Sequence, residues 1–300
     1  MKVERVVGEV DVDEVQDVTR RAFAANGDLD PPSGALSETA ETVAQDFAGD
    51  GGLLLRDGAG RLVAACRVRR CGLAWVVRRC AVDPSYRLTG AGRRLVEEAH
   101  AWAADEGAVR THVGVRDVLT GSRAFWERNG YRPLAQHGFW TELVHPLPLV
   151  LHGPEATHEL GRRLAGVLQK GDLLLLSGPL VAGKTALTQG IGAGLGVRGA
   201  VTSPTFVLAR VHPGPLPLVH VDAYRLRESG SSRLELDDLD LDASLADSVT
   251  VVEWGEGLAE GLAEARLEVL LERPDDDSRT ARITPYGDRW SVFAPPPVVR

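Results

Sequence analysis

The stretch Gly178-Pro-Leu-Val-Ala-Gly183-Lys184-Thr185 decides the fold expected for the second half of this chain. It matches the pattern G-x-x-x-x-G-K-[ST], a loop whose backbone N–H groups surround phosphate oxygens. The apolar run Leu173–Leu176 before it predicts a buried strand, and Ala186–Ile191 after it can continue as a helix. A strand, a glycine-rich loop and a helix N-terminus together form an anion site.

Two side chains of this loop have predicted roles in an ATP·Mg²⁺ site. Lys184 would neutralise the β- and γ-phosphates, and the hydroxyl of Thr185 would be a ligand of Mg²⁺. A glycine-rich turn that matches by chance is the alternative, and the strand–loop–helix context argues against it. The expected ATP contacts of the loop are Gly178, Val181, Ala182, Gly183, Lys184, Thr185 and Ala186.

Length and composition indicate a two-domain globular protein. A chain of 300 residues favours two domains, at roughly 100–200 residues each. His145-Pro-Leu-Pro148 marks the boundary, because residues that precede proline avoid helix, and the predicted domains are residues 1–147 and 148–300. With no apolar run of ~18 residues and no signal-peptide pattern at the N-terminus, we expect a cytoplasmic protein without a membrane-spanning segment.

Charge and cysteines narrow the possible functions. Residues 148–300 carry most of the net charge of −8, which argues against a broad nucleic-acid footprint there. A protein partner that itself holds RNA stays compatible with that charge. Cys66, Cys71 and Cys80 are odd in number and have no histidine between them, so the sequence predicts neither a disulfide framework nor a zinc site.

Four further motifs in the second half accompany the phosphate loop, within an alternation of strands and helices typical of nucleotide-binding α/β domains. They are Glu155-x-Thr157-x-x-Leu160-Gly161, Ser203-Pro-Thr-Phe206, His220-Val-Asp-Ala-Tyr-Arg-Leu226 and Val251-Val-Glu253-Trp254. With these motifs in order, about residues 150–290 resemble the bacterial TsaE family, the P-loop ATPase of tRNA threonylcarbamoyladenosine synthesis.

The resemblance implies further site residues beyond the loop. It implies that Thr185 and Glu253 serve magnesium, that Asp222 and Thr205 matter for hydrolysis, and that Trp254 lies near the nucleotide. The residues support this, because Glu253 and Asp222 each follow an apolar strand, and a carboxylate there can order the metal or its waters. The alternatives are a turn or helix cap for Asp222 and Thr205 and a core position for Trp254.

The loop departs from the family pattern at three positions. The family usually has Asp at Pro179, Gly at Val181 and Thr at Ala186. Val181 is the most consequential change, because a β-branched residue resists positive φ. If the loop requires that backbone conformation, nucleotide binding would weaken.

The resemblance also implies partners. It implies that this half works with TsaB and TsaD in threonylcarbamoyl transfer to adenosine 37 of tRNA, meets the tRNA through that complex, and resets the transferase between turnovers. A small-molecule kinase that uses Lys184 and Asp222 on a hydroxyl substrate is the alternative. Release of phosphate without any acceptor would separate the ATPase from the kinase.

The first half is also predicted to alternate between helices and strands. The predicted helices are Val10–Ala24, Arg93–Ala104 and Ser122–Arg128. The predicted strands are Leu53–Leu55, Leu62–Cys66, Leu73–Val82, Val109–Val115 and Gln136–Leu143, and the turn Asp57–Gly60 joins the first two as a hairpin.

A second glycine loop lies in this half. Arg87-Leu-Thr-Gly90-Ala-Gly92 follows a predicted strand and precedes a predicted helix, and Ser122–Tyr131 contains an aromatic pair and an Asn-Gly turn. Both stretches resemble GNAT acetyltransferases, whose R-x-x-G-x-[GA] loop binds the acetyl-CoA pyrophosphate through exposed amides. The implied acetyl-CoA contacts are Val82, Arg87, Leu88, Gly90, Ala91, Gly92 and Arg93. The fold expected for the chain is α/β, with an α+β mixed-sheet GNAT-like domain followed by a P-loop α/β domain.

The sequence of the first half is compatible with two interpretations of its acid/base chemistry. The tyrosine that GNAT enzymes use as general acid is replaced by Trp126, and a frequent asparagine falls at Leu119. Both an active transferase of unknown acceptor and a docking module with lost catalytic groups are compatible with this pattern. A group of arginines suits the phosphates of coenzyme A, although several could be solvated charges: Arg67, Arg69, Arg70, Arg78, Arg79, Arg87, Arg93 and Arg94.

Overall fold

The chain folds into two compact units, one formed by Met1–Leu147 and one that begins at Pro148. The computed structural model describes residues 1–204, 208–224, 245–273 and 278–293. Each unit combines helices with a seven-stranded sheet, so the predicted α/β class is confirmed. Among the helices in these described ranges, none has both the length and the apolar character needed to cross a membrane.

The first unit has four helices and one mixed sheet. Its elements are β1 (Lys2–Val6), α1 (Val12–Ala24), α2 (Ala40–Gly49), β2 (Gly52–Arg56), β3 (Leu62–Cys71), β4 (Ala74–Val82), α3 (Ala91–Asp105), β5 (Arg110–Arg116), α4 (Thr120–Arg128), β6 (Arg132–His137) and β7 (Trp140–Pro146). The strand order is β1-β2-β3-β4-β5-β7-β6. Neighbours are antiparallel except β4 and β5, which run parallel.

The two parallel strands of this sheet separate along their length. Ala74–Val76 of β4 pair with Arg110–His112 of β5, and within these two described strands no pairing continues further. Near the same place β4 contains a bulge at Arg79, where φ is +50°. Bulges are common beside binding sites because they re-aim the chain. The gap therefore opens next to the glycine loop that follows β4.

The helix after that loop packs on the sheet by its predicted apolar face. Leu95, Val96, Ala99 and Trp102 of α3 are buried in one core with β2 to β5. The ring of Trp102 meets Trp75 edge to face at 5.1 Å. Since each large apolar side chain contributes about 1.5–3 kcal/mol on burial, this face holds the glycine loop against the sheet.

The last predicted strand of the first half is wrong in its extent. One strand is predicted over Gln136–Leu143, whereas the chain turns at Gly138 and forms the hairpin β6–β7. Gly138 has a φ of +65°, and a two-residue hairpin turn favours such residues. The predicted hairpin around Asp57–Gly60 is confirmed, since β2 and β3 pair on either side of it.

The second unit contains a sheet with a parallel centre. Its described elements are β8 (Pro148–His152), α5 (Gly153–Ala165), β9 (Leu173–Ser177), α6 (Lys184–Leu195), β10 (Ala209–His212), β11 (Leu218–Asp222), β12 (Val249–Glu253), β13 (Arg266–Glu272) and β14 (Ser278–Tyr286). The order is β10-β11-β12-β9-β13-β14-β8, with β11, β12, β9 and β13 parallel. Their carboxyl ends therefore lie at one edge, where ligands bind in open α/β sheets.

Two helices of this unit approach each other through glycines. A Cβ on Gly161 of α5 would lie 2.3 Å from the carbonyl oxygen of Leu187 in α6. A Cβ on Gly190 of α6 would lie 2.0 Å from the carbonyl oxygen of His158 in α5. The backbones therefore touch, and α6 keeps the position that follows the phosphate loop.

We expect Gly161→Ala to lower the free energy of unfolding by about 1–3 kcal/mol, because the new methyl group overpacks the contact between the helices. Gly166→Ala is the matched control, since its backbone is right-handed and its added Cβ would meet only an ordinary contact at 3.4 Å. Urea denaturation of the full chain measures both. Equal stability of the two variants would contradict the close approach.

Candidate functional site

A cavity of about 450 Å³ lies at the carboxyl ends of the parallel strands in the second unit. The phosphate loop, residues 178–185, forms one wall as it passes from β9 to α6. The structure brings most of the predicted ATP-site residues to this cavity. Those that line it are Val181, Ala182, Gly183, Lys184, Thr185, Ala186, Asp222, Glu253 and Trp254.

Glycine is required at both ends of the loop. Gly178 has a φ of +131°, and a Cβ there would lie 1.9 Å from the carbonyl oxygen of Leu271. Gly183 has a φ of +107° and is the N-cap of α6. These glycines allow the backbone to turn tightly, so that the first amides of α6 face the cavity and can surround phosphate oxygens.

Val181 adopts the backbone conformation that its side chain disfavours. Its φ is +65°, in the left-handed region, and its side chain is exposed. A β-branched residue in this region is strained by roughly 1–2 kcal/mol. The loop therefore takes the conformation for which glycine is suited, and Val181 stores strain beside the predicted phosphate site.

Lys184 lies in the loop with its ammonium group held by the backbone. Its Nζ donates to the carbonyl oxygens of Gly178 and Pro179, both at 2.9 Å, and lies 3.8 Å from the centroid of the Trp254 ring. Burial lowers the pKa of Lys184 from its ordinary value, and the nearby carboxylate of Glu253 acts in the opposite direction. A partly desolvated ammonium in this place can interact strongly with phosphate.

Thr185 and Glu253 meet across the cavity. Thr185 Oγ1 donates to the carboxylate of Glu253, 3.2 Å from Oε1 and 3.4 Å from Oε2. Glu253 ends β12, and its side chain is buried. A hydroxyl and a carboxylate are hard oxygen ligands of the kind that Mg²⁺ prefers, so this donor set fits the predicted metal.

Asp222 stands beside Glu253 because β11 and β12 pair in parallel with these two residues in register. Its Oδ2 accepts from Ser203 Oγ at 2.8 Å, and its Oδ1 accepts from the backbone N–H of Tyr224 at 3.1 Å. The turn cap considered for Asp222 is thus present, and the side chain lines the cavity as well. Both oxygens are held in fixed directions.

Trp254 follows Glu253 directly and turns into the cavity wall. Its φ is +62°, and its ring meets that of Tyr224 edge to face at 5.2 Å. Trp254 is half-buried and lines the cavity, so it is not a residue of the closed core. Thr205, for which a role in hydrolysis was predicted, lies outside the described residues.

Two residues at the site had no role predicted from the sequence, one that lines the cavity and one that lies behind it. Arg279 on β14 lines the cavity, and its Nε lies 3.6 Å from the place that a Cβ of Gly183 would take. His220 Nε2 lies 2.9 Å from Glu253 Oε1. No motif pointed to Arg279, because β14 is far from the phosphate loop in the sequence. The order of strands in the sheet brings the two together. His220 stood inside a quoted motif without a role.

The glycine loop of the first unit has the backbone expected of an anion site. Gly90 has a φ of +85° and is the N-cap of α3. A Cβ on Gly92 would lie 3.2 Å from Phe125 and 3.4 Å from Val82, so glycine lets the helix pack closely on its neighbours. Leu88 has a φ of +64° and a fully exposed side chain. The loop amides are therefore the groups that could hold the pyrophosphate of acetyl-CoA.

The arginines that suggested a coenzyme A phosphate cluster are mostly satisfied inside the protein. Arg67 is only 1% exposed and pairs with Glu38 and Asp46. Arg79 Nε lies 2.7 Å from Glu38, and Arg78 Nη1 lies 3.3 Å from Asp46. A buried guanidinium requires such partners. For these three arginines the phosphate interpretation is wrong, since they tie β3 and β4 to the chain around α2.

The two predicted loop arginines are also engaged within the unit. Arg87 Nη2 donates to the carbonyl oxygen of Ala22 at 3.1 Å, and Arg93 Nε donates to Glu97 at 2.7 Å. The pair of Arg93 with Glu97 is exposed and contributes little to stability. Ala91 begins α3 with its side chain buried. Phosphate binding at this loop would accordingly depend first on backbone N–H groups.

Two residues of the first unit bear on catalysis. Trp126 is buried, and its ring meets Phe125 and Tyr131 edge to face. Leu119 precedes α4 and makes no side-chain cap for it. Trp126 thus serves packing, and it presents no titratable group where GNAT enzymes have their tyrosine.

A buried polar chain in the same unit was not predicted. Glu142 is fully buried and contacts His112 Nδ1 at 2.7 Å and His137 Nε2 at 3.0 Å, while Arg110 Nε donates to His112 Nε2. Burial lowers the pKa of His112, and the hydrogen bond to Glu142 opposes that shift. These residues come from three strands and are adjacent only in the folded sheet.

Comparison with known families assigns both units. The family model of the threonylcarbamoyl adenosine biosynthesis protein TsaE matches residues 151–281, and that of the acetyltransferase (GNAT) family matches residues 21–131. The tRNA threonylcarbamoyladenosine biosynthesis protein TsaE of Streptomyces coelicolor is 61% identical over 142 residues, which cover 45% of this chain and 93% of that protein. The TsaE protein of Bacillus subtilis is 37% identical over 142 residues, which cover 47% of this chain and 86% of that protein.

Solved structures are similar to each unit separately. The crystal structure of YdiB from Bacillus subtilis has 31% sequence identity and a TM-score of 0.37, and covers 48% of this chain and 88% of that chain. The crystal structure of the PaiA N-acetyltransferase from Thermoplasma acidophilum in complex with coenzyme A has 14% sequence identity and a TM-score of 0.43. It covers 49% of this chain and 99% of that chain.

We expect Val181→Gly to raise the free energy of unfolding by about 1 kcal/mol. Glycine removes the strain of the left-handed backbone, which outweighs its greater entropy in the unfolded chain. Val181→Ala keeps a Cβ and should gain less, so the predicted order of stability is Gly, Ala, Val. Thermal unfolding without nucleotide gives this order. A glycine variant less stable than the alanine variant would contradict the assigned strain.

Proposed function

The chain belongs to the TsaE family of tRNA threonylcarbamoyladenosine biosynthesis proteins, and we propose that its second unit binds ATP·Mg²⁺ and hydrolyses it. The observation that carries this proposal is the contact of Thr185 with Glu253 beside Lys184, at the mouth of a glycine loop. When bound, Mg²⁺ supplies charge neutralisation for the phosphates.

Each proposed residue role follows from position and charge. Lys184 binds the terminal phosphates, which draw its ammonium away from the loop carbonyls of Gly178 and Pro179. Thr185 and Glu253 are the protein's ligands for Mg²⁺. Asp222, with its carboxylate held by Ser203 and by a backbone N–H, orients the attacking water.

Further roles around the nucleotide are proposed for Trp254, for the phosphate loop and for Thr205. The Trp254 ring, which lies over the ammonium group of Lys184, packs against the nucleotide. In the loop, Gly178 and the residues from Val181 to Ala186 contact its phosphates through their backbone N–H groups. For Thr205 the hydrolytic role rests on the resemblance of its Ser-Pro-Thr segment to the family motif.

We infer that the partners are TsaB and TsaD, with tRNA reached through their complex. The support is family membership and the acidic balance of residues 148–300, which disfavours a direct RNA surface. The experiment adds TsaB, TsaD, tRNA and threonylcarbamoyl-AMP to the chain and measures phosphate release. ATP hydrolysis should be slow alone and faster with the complex. Equal rates would count against these partners.

The kinase alternative makes a different prediction in the same assay. A kinase would leave ATP intact until a hydroxyl substrate is added, whereas an ATPase releases phosphate from water attack alone. Phosphate release in the absence of any hydroxyl substrate would therefore support the ATPase over the kinase.

For the first unit we propose acetyl-CoA binding at the loop after β4, with an acceptor still to be found. The support is the glycine backbone at Gly90 and Gly92, together with the opening between β4 and β5. A docking module is the second candidate, and the packing role of Trp126 favours it, since no acid stands at that position. Acetyl-CoA binding without acetyl transfer to amines would support docking.

Lys184→Ala should weaken ATP binding by about 10-fold or more, because a charged hydrogen-bonding partner of the phosphates is lost. Lys170→Ala is the control, since Lys170 pairs with Asp247 on the surface. Glu253→Gln should retain the nucleotide and lose Mg²⁺-dependent hydrolysis. Calorimetry and phosphate release measure the two effects. Wild-type hydrolysis by Glu253→Gln would remove Glu253 from the proposed metal site.

Gly92→Glu should abolish coenzyme A binding, because its side chain brings charge and bulk to the N-terminus of α3 against Phe125 and Val82. Gly121→Glu adds the same charge at a position with open space and serves as control. Calorimetry with the full chain should also show weaker binding of coenzyme A in higher salt. Unchanged binding in Gly92→Glu would contradict the assigned loop.

A further inference from the structure

A fully buried histidine stands behind the proposed metal site. His220 lies on β11 with no exposed surface, and its Nε2 is 2.9 Å from Glu253 Oε1. Because a carboxylate oxygen accepts, the imidazole Nε2–H is the donor. The same carboxylate accepts from Thr185 Oγ1. Glu253 is therefore held between Thr185 on α6 and His220 on β11.

The sheet register explains how the imidazole reaches this carboxylate. His220 pairs with Val251 and Asp222 pairs with Glu253, so all four side chains point to the same face. His220 lies two residues before Asp222 on β11, on the same face of the sheet and further from its carboxyl edge. It approaches Glu253 from the side of the protein interior, whereas Thr185 approaches it from the phosphate loop.

The other ring nitrogen of His220 supports a functional reason for a histidine at this position. Its Nδ1 is buried and has no hydrogen-bond partner among the described residues. A buried nitrogen without a partner costs free energy, so an apolar residue would suit this core position better. Among the described residues, the hydrogen bond that His220 makes with its side chain is the one to Glu253.

We propose that His220 is a positioning residue that fixes Glu253 in its metal-binding orientation, an inference that rests on the proposed ATPase function. A glutamate has several rotatable bonds, and a second hydrogen bond restricts them before the metal arrives. Partners that orient a ligating group commonly change metal affinity by about 10–100-fold when they are removed. His220 does not itself line the cavity and meets it through Glu253, so its effect should reach the nucleotide through that carboxylate and the metal.

The test compares nucleotide affinity in Mg²⁺ with affinity in EDTA for the full chain. His220→Leu removes the donor, and His220→Gln supplies an N–H at a similar place. His212→Leu is the matched control, because His212 is a buried histidine on β10 whose ring centre lies 6.4 Å from that of His220. The probe is a non-hydrolysable ATP analogue, measured by calorimetry over a series of Mg²⁺ concentrations.

Mg²⁺ should raise the affinity of the chain for the ATP analogue. We expect the Mg²⁺ concentration that gives half of this rise to be about 10–100-fold higher for His220→Leu than for wild type. Its affinity in EDTA should equal that of wild type, His220→Gln should recover most of the loss, and His212→Leu should behave as wild type. A normal Mg²⁺ requirement in His220→Leu overturns the inference. An equal loss of affinity in Mg²⁺ and in EDTA also overturns it, since His220 would then only support the fold.

The same titration separates this inference from the function on which it rests. If the wild-type chain binds the analogue equally in Mg²⁺ and in EDTA, the proposed ATP·Mg²⁺ site fails and the role of His220 fails with it. If the wild type shows the metal-dependent gain and His220→Leu keeps it, the ATPase proposal stands and the role of His220 alone is wrong.

Discussion

The parallel register of β11, β12 and β9 is the constraint on which the candidate site depends. It aligns Asp222 with Glu253 and Glu253 with Leu176, directly before the phosphate loop. A slip of one residue would turn Glu253 to the opposite face of the sheet, because side chains alternate along a strand. Such a slip would also separate the buried carboxylate of Glu253 from Thr185 and His220, which are its hydrogen-bond partners, at a cost of several kcal/mol. The polar partners of Glu253 therefore help to fix the register that positions the carboxylates.

The two units share the backbone geometry that suits an anion site. In each, a strand leads into a loop, and a glycine in the left-handed region caps the following helix, Gly90 before α3 and Gly183 before α6. Each loop also contains an apolar residue at positive φ, Leu88 or Val181, with an exposed side chain. The backbone dipoles of a helix start are available in any sequence, but only a loop free of Cβ clashes lets phosphate approach them.

The charges of the first unit show why composition is a weak guide to a binding site. Arg67 is enclosed with Glu38 and Asp46, so its charge is balanced within the protein. The buried carboxylate of Glu142 likewise meets His112 and His137. Burial without partners would cost several kcal/mol for each ion, so these pairs hold the fold together. Apart from His137, which faces Glu142 across the hairpin β6–β7, their partners lie 20 or more residues away in the chain and could not be read from local sequence.

Much of the fold was predictable from local pattern. Apolar periodicity predicted α3, apolar runs predicted the parallel strands β9, β11 and β12, and the glycines of Asp57–Gly60 predicted the hairpin between β2 and β3. The hairpin β6–β7 was missed because Gly138 was not recognised as a turn inside a run of alternating residues. β13 and β14 were not predicted, although β13 pairs directly with β9.

The sequence by itself determined the two glycine loops, the phosphate-site lysine and the family to which the second unit belongs, because these depend on short spacings within one strand–loop–helix segment. Only the tertiary structure decided that Arg279 meets the loop, that Arg67 is buried with two carboxylates, and that His220 holds Glu253. Those contacts join residues far apart in the chain. Strand order and register bring them together, and no local periodicity encodes either.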